Sequence, residues 1–165
     1  MFKLPKKPVT RTVAQALLLI LLLSITTTSF AILTLASSLN DAEAVNVAGS
    51  MRMQSYRLAY DIQSDSLDFN FHVEQFERSL FSPSMSALRP WTVPADIQQE
   101  DMLIIQRWQQ LKTLLHSEQN DVYLGQVADV VGQIDEFVFG LQEYSEQKLI
   151  TLSWIGGVGL GGILI

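Results

Sequence analysis

The chain has 165 residues, 48% of them apolar and 17% charged, with a formal net charge of −6. It is too apolar and too sparsely charged for intrinsic disorder. The absence of cysteine excludes a disulfide scaffold, a thiolate zinc site, an iron–sulfur cluster and a cysteine nucleophile.

Charge is laid out in blocks. Residues 1–12 hold Lys3, Lys6, Lys7 and Arg11 and no acid. Residues 13–39 hold no charge, and neither do residues 149–165. All seventeen acids and the remaining seven bases lie in residues 40–148, a balance of −10. A basic start, an apolar run, an acidic domain and a second apolar run describe a membrane protein.

The first run, residues 13–39, rises about 40 Å as a helix. That exceeds the roughly 30 Å hydrocarbon core, so it can span with some tilt. A cleaved signal peptide also starts basic, but its apolar region is only about 7–15 residues long. An uncleaved transmembrane helix is the better reading. Basic residues precede it, while Asp41 and Glu43 follow. The positive-inside rule then makes residues 1–12 cytoplasmic and residues 40–148 extracytoplasmic. The second run, residues 149–165, rises about 25 Å. It is expected to be the start of a second transmembrane helix, within a longer protein.

The intervening domain lacks strand and hairpin signals. Its first helix runs on from the membrane through NDAEAVNVAGSMRMQSYRLAYDIQSD. The second, FNFHVEQFERSLFS, presents Phe69, Val73, Phe76 and Leu80. Pro83, Pro90 and Pro94 mark a loop. The third helix carries Ile97, Ile104, Trp108, Leu111 and Leu115 as one stripe. The fourth carries Val127, Val130, Ile134, Phe137 and Leu141 and flows into the second apolar run. The expected fold class is all-α: an antiparallel four-helix bundle outside the membrane, continuous with two transmembrane helices. Phe69, Phe71 and Phe76 are expected to fill the core, and Trp91 to cap one bundle end. His72 and His116 read as surface residues on separate helices. No Cys-x-x-Cys-His or axial pair suggests haem, and no metal site or cofactor is expected.

The stretch from Asp41 to Gln63 is the informative one. Ala42, Val45, Gly49, Arg52, Tyr56, Ala59 and Gln63 recur at spacings of 3, 4, 3, 4, 3 and 4. That is a heptad seam of the kind that packs two helices together. A second face, Val47, Met51, Leu58 and Ile62, remains for the domain's own core. If the seam meets its own copy, two-fold symmetry brings Arg52 near its mate. Two guanidinium groups repel there, and a small planar oxyanion would relieve the repulsion with matching forked geometry. Gly49, one turn earlier, leaves backbone room for it. The plainer alternative is a surface salt bridge, with Glu43 and Asp61 available on the same helix.

The run SSLNDAEAVNVAGSMRMQSYRLAYDIQ resembles the periplasmic P-box of nitrate/nitrite sensor histidine kinases of the NarX/NarQ type, and is closer to the NarQ branch. The similarity extends through LTLASSL before it and QIDEFVFGLQ after it. It is strongest between Leu33 and Gln63. The resemblance implies a periplasmic sensor in the bacterial inner membrane, a homodimer through the first bundle helix, and nitrate or nitrite bound by Arg52 and Gly49. It also implies a cytoplasmic kinase acting on a response regulator. That part departs from this chain: a HAMP linker, phosphoacceptor histidine and ATP-binding domain are absent from its residues. No catalytic residue is therefore expected in it.

Two other readings stay open. One keeps the bundle but couples it to a chemoreceptor-like, pilus-type transducer. The other is a ligand-free membrane-anchored structural domain, in which Arg52 pairs with a carboxylate. A soluble enzyme is disfavoured, because no phosphate loop or nucleophile motif occurs. The charge of −10 disfavours nucleic acid as a partner. Membrane lipid is the remaining expected contact.

Overall fold

A computed structural model describes residues 8–163. It is all-α, with α1 at Pro8–Ser64, α2 at Phe69–Leu80, α3 at Pro83–Ser86, α4 at Ala95–Leu115 and α5 at Asp121–Ile163. The chain divides into two compact units, Ser38–Ile150 and the residues that flank it on both sides.

In the flanking unit, the early part of α1 turns large apolar side chains outward all round: Leu17 to Leu22, Ile25, Ile32 and Leu33 are exposed. The hydroxyls of Thr26, Thr27 and Thr34 donate back to the carbonyls of Leu22, Leu23 and Phe30 at 2.8–2.9 Å. That satisfies them within the helix, as an apolar solvent demands. Among the described residues, α1 is the one helix long and apolar enough to cross a membrane. The described part of the second apolar run lies in α5, and residues 164–165 of that expected span lie outside the described residues.

The Ser38–Ile150 unit is built on one core. The stripes expected on α2, α4 and α5 fill it, except that Phe69 and Val127 are only partly buried at its edge. Val73, Phe76 and Leu80 are buried, as are Ile97, Ile104, Trp108, Leu111 and Leu115, and Val130, Ile134, Phe137 and Leu141. Phe76 stacks on Trp108 with centroids 4.3 Å apart. On α1 the core face is Ala44, Ala48, Met51, Ser55 and Leu58, with Val47 and Ile62 only partly covered beside it. Met51 and Leu58 were expected there; the face is completed by the small residues Ala44, Ala48 and Ser55, which a search for large apolar residues passes over.

Helix ends follow local chemistry. Asp65 adopts φ +50°, a left-handed conformation that Asp tolerates better than most residues. Ser66 N–H then donates to Asp61 O at 3.0 Å, closing the last turn of α1. The proline-rich loop contains one short helix, α3, that the sequence reading did not anticipate. Met85, Leu88 and Val93 from this segment enter the core.

Three expectations need correction. His72 is buried, 8% exposed, because its Nδ1 bonds Asp61 Oδ2 at 2.5 Å; only His116 is a surface residue. Phe71 is exposed, with Arg78 lying 5.6 Å over its ring. Trp91 caps nothing: it is 90% exposed.

Candidate functional site

Gly49 and Arg52 sit one turn apart within α1, one residue off its buried row, so neither is drawn into the core. None of the seven seam residues is buried within the chain. Beside them Met53, Tyr56 and Tyr60 are exposed, which with Gly49 makes a stripe at spacings of 4, 3 and 4 along α1.

The Arg52 guanidinium is held at two points. Nη1 donates to Asp135 Oδ1 of α5 at 2.6 Å, and Nε donates to Gly49 O at 3.3 Å. The Arg52 and Asp135 side chains remain 45% and 50% exposed. A Cβ at Gly49 would lie 3.6 Å from Arg52 Nη2, an ordinary contact. Within one chain, therefore, glycine is not sterically required, and its bare backbone leaves the guanidinium's flank open.

Arg52 thus pairs with a carboxylate, as the ligand-free reading expects. The partner is Asp135, however, not the Glu43 or Asp61 that the sequence offered on the same helix. Asp135 was missed by sequence reasoning. It lies 83 residues away, directly beside Glu136, and no local signal separates the two.

The Arg52–Asp135 bond lies between two other polar ties that join α1 and α5 among the described residues. Nearer the apolar runs, Lys148 Nζ donates to Asp41 Oδ2 at 3.0 Å, with Asp41 almost fully covered. Deeper in the unit, the Tyr123 hydroxyl donates to the Ser55 carbonyl at 2.9 Å. Burial pushes the Tyr123 phenol up to about 12, partly opposed by its hydrogen bond to Ser55, so it stays a donor at ordinary pH. Of the three ties, Arg52–Asp135 is the one most open to solvent.

Two further carboxylates are perturbed outside this region. Bonds from Lys112 Nζ and Trp108 Nε1 hold the Glu77 carboxyl below its usual range. Desolvation, with Asp96 and Glu136 nearby, raises that of Glu100. Among the described residues, no group of three or more His, Asp or Glu is placed to hold a metal ion.

Residues 33–130 match a protein family described as type IV pili methyl-accepting chemotaxis transducer N-term. The chain belongs to this family. The matched range contains Gly49 and Arg52 and stops short of Asp135. The chain is also 42% identical over 158 residues, 94% of its length, to the nitrate/nitrite sensor protein NarQ of Escherichia coli strain K12. It is 32% identical over 158 residues, 95% of its length, to the sensor protein NarQ homolog of Haemophilus influenzae. It spans 28% and 27% of the lengths of these two relatives. The resemblance to the NarQ branch is thereby a measured one, and it extends well beyond the P-box.

Proposed function

We propose that this chain is the sensor and transmembrane region of a nitrate/nitrite-responsive two-component histidine kinase. In this reading residues 40–148 form a periplasmic antiparallel four-helix bundle. Residues 13–39 and 149–165 belong to two helices in the bacterial inner membrane, and residues 1–12 are cytoplasmic. Two copies pair through the exposed seam of α1. Nitrate or nitrite binds between the two Arg52 guanidiniums, against the backbone at Gly49. A kinase region and its response regulator lie downstream.

The observation that carries the reading is the exposed Arg52–Asp135 tie between α1 and α5, in a chain 42% identical to a nitrate/nitrite sensor. An anion on the seam competes with Asp135 for Arg52. In a dimer, the anion also offsets the repulsion between the two arginines. It therefore favours a state in which Arg52 has turned toward the seam, and its differential affinity for that state is the whole of the signal. Loosening the middle tie changes how α1 and α5 are held together. Both helices continue into the apolar runs, so the change has a route across the bilayer.

The test is calorimetric titration of nitrate into the detergent-solubilised dimer, with chloride and sulfate as controls. Saturable binding of one anion per dimer, lost in Arg52→Ala, supports the reading. No binding in a sample shown to be dimeric overturns it in favour of a ligand-free domain. The family description favours a second reading, in which the same bundle feeds a chemotaxis-type transducer. The sequence that follows residue 165 in the whole protein decides between the two outputs.

A further inference from the structure

The Trp91 side chain is the most costly exposure in the Ser38–Ile150 unit. A tryptophan left 90% in water forgoes a large apolar burial. Its loop is nonetheless firmly built. Leu88 and Val93, on either side, are in the core. Arg89 donates to Asp101 Oδ2 at 2.8 Å and to Leu80 O at 3.0 Å. Gln98 Nε2 donates to both Pro90 O and Val93 O. The segment is tied down on both sides of Trp91 and holds the indole outward.

The loop's height in the unit can be read from contacts. A Cβ on Gly140 would meet Ile97 Cδ1 at 3.4 Å and Glu100 Oε2 at 3.2 Å, so the first turn of α4 lies beside Gly140. Further along, Trp108 and Leu111 face Val130 and Ile134. The two helices therefore run in opposite senses. Lys148 is eight residues past Gly140, about 12 Å along α5, and it pairs with Asp41 of α1. Residues 90–94 precede α4 and so lie on the Lys148 side of the Gly140 contact. They sit at the end of the unit from which both apolar runs depart in sequence. Chemistry agrees with position: no acid occurs from Arg78 to Ala95, in a domain that carries seventeen. Phe81, at the start of this segment, is also exposed.

We infer that the loop around Trp91 rests in the headgroup region of the outer leaflet, with the indole as its contact to lipid. Tryptophan suits this boundary, having an apolar body and one N–H donor. An acid-free segment also avoids repulsion from anionic headgroups. The contact would brace the base of the sensor against the bilayer at a point remote in sequence from both membrane helices. This inference rests on the transmembrane reading above, and deepens it by naming a second, peripheral membrane contact.

Because the chain has no cysteine, a single introduced thiol can be labelled cleanly. The full chain is reconstituted in phosphatidylcholine–phosphatidylglycerol vesicles with a spin label at Thr92→Cys. Reference labels are placed at Leu21→Cys, in the apolar run, and Glu118→Cys, at the opposite end of the unit. Collision with oxygen, which concentrates in lipid, is compared with collision with a water-soluble nickel chelate. The expected result is a lipid-like oxygen preference at Thr92→Cys that is lost when Trp91→Ala is added, with the melting temperature unchanged. A water-like signal at Thr92→Cys beside a lipid-like one at Leu21→Cys overturns the loop contact and leaves the transmembrane reading standing. Exclusion of both reagents at Thr92→Cys overturns it in favour of a protein partner, and an oxygen preference unaffected by Trp91→Ala removes the indole's role. A water-like signal at Leu21→Cys removes the transmembrane reading, and this inference with it.

Discussion

Two polar pairs on α1, nine residues apart, are built in opposite ways. Asp61 meets His72 at 2.5 Å, with the two side chains 3% and 10% exposed. Arg52 meets Asp135 at 2.6 Å, but those side chains stand 45% and 50% exposed. Distance alone does not separate them; solvent does. A buried pair is costly to break because the abandoned partner loses water as well as its mate. An exposed pair is cheap to break because water replaces the mate. In the proposed reading, the second kind suits the place where a ligand acts, and the first kind the scaffold that must not yield. The difference assigns Asp61–His72 to the scaffold and makes Arg52–Asp135 available for exchange.

The comparison yields three expectations, in descending order of effect on stability. Asp61→Ala leaves the buried His72 Nδ1 without its partner and should cost about 1–3 kcal/mol, read as a fall in denaturation midpoint. A loss under about 1 kcal/mol would show that water already reaches the pair. Glu100→Gln should act in the other direction, by a smaller amount. The Glu100 carboxyl is raised by desolvation, then by Asp96 and Glu136, so the folded state holds its proton more tightly than the unfolded chain. Ionisation therefore costs stability as pH rises through the folded-state value. The neutral amide should raise the melting temperature at pH 7, and the gain should shrink as the buffer is made acid. A gain that is constant with pH would mean that charge is not its source. Arg52→Ala should have the smallest effect, within about 1 kcal/mol, and under the proposed function it also abolishes nitrate binding. If it unfolds the unit, the exposed pair is structural after all and the contrast fails.

Much of this was legible in the residue order. The rows Ile97–Leu115 and Val130–Leu141 declare buried faces by periodicity, because a helix presents every third or fourth residue to one side. The same rule placed Arg52 off the core. On α1 it found Met51 and Leu58 but passed over Ala44, Ala48 and Ser55, which are buried beside them and carry no large apolar side chain. It failed for pairs. Which of seventeen acids meets Arg52, or whether His72 turns inward to Asp61, depends on the rotation and axial offset of separate helices. Periodicity within one helix contains neither quantity. Trp91 shows the limit in reverse: an aromatic in a proline-rich loop reads as a plug until the core is found already filled by Met85, Leu88 and Val93.

The hydroxyl of Tyr123 on the Ser55 carbonyl gives the fold an alkaline boundary. A phenol in the unfolded chain ionises near 10, whereas in the folded unit this one waits until about 12. Between those values the folded state retains a proton that the unfolded state gives up, so stability declines as pH climbs through the window. The phenolate absorbs in the near ultraviolet and the buried phenol does not shift until released. Under base, this tyrosine's absorbance becomes a clock for the opening of the α1–α5 junction.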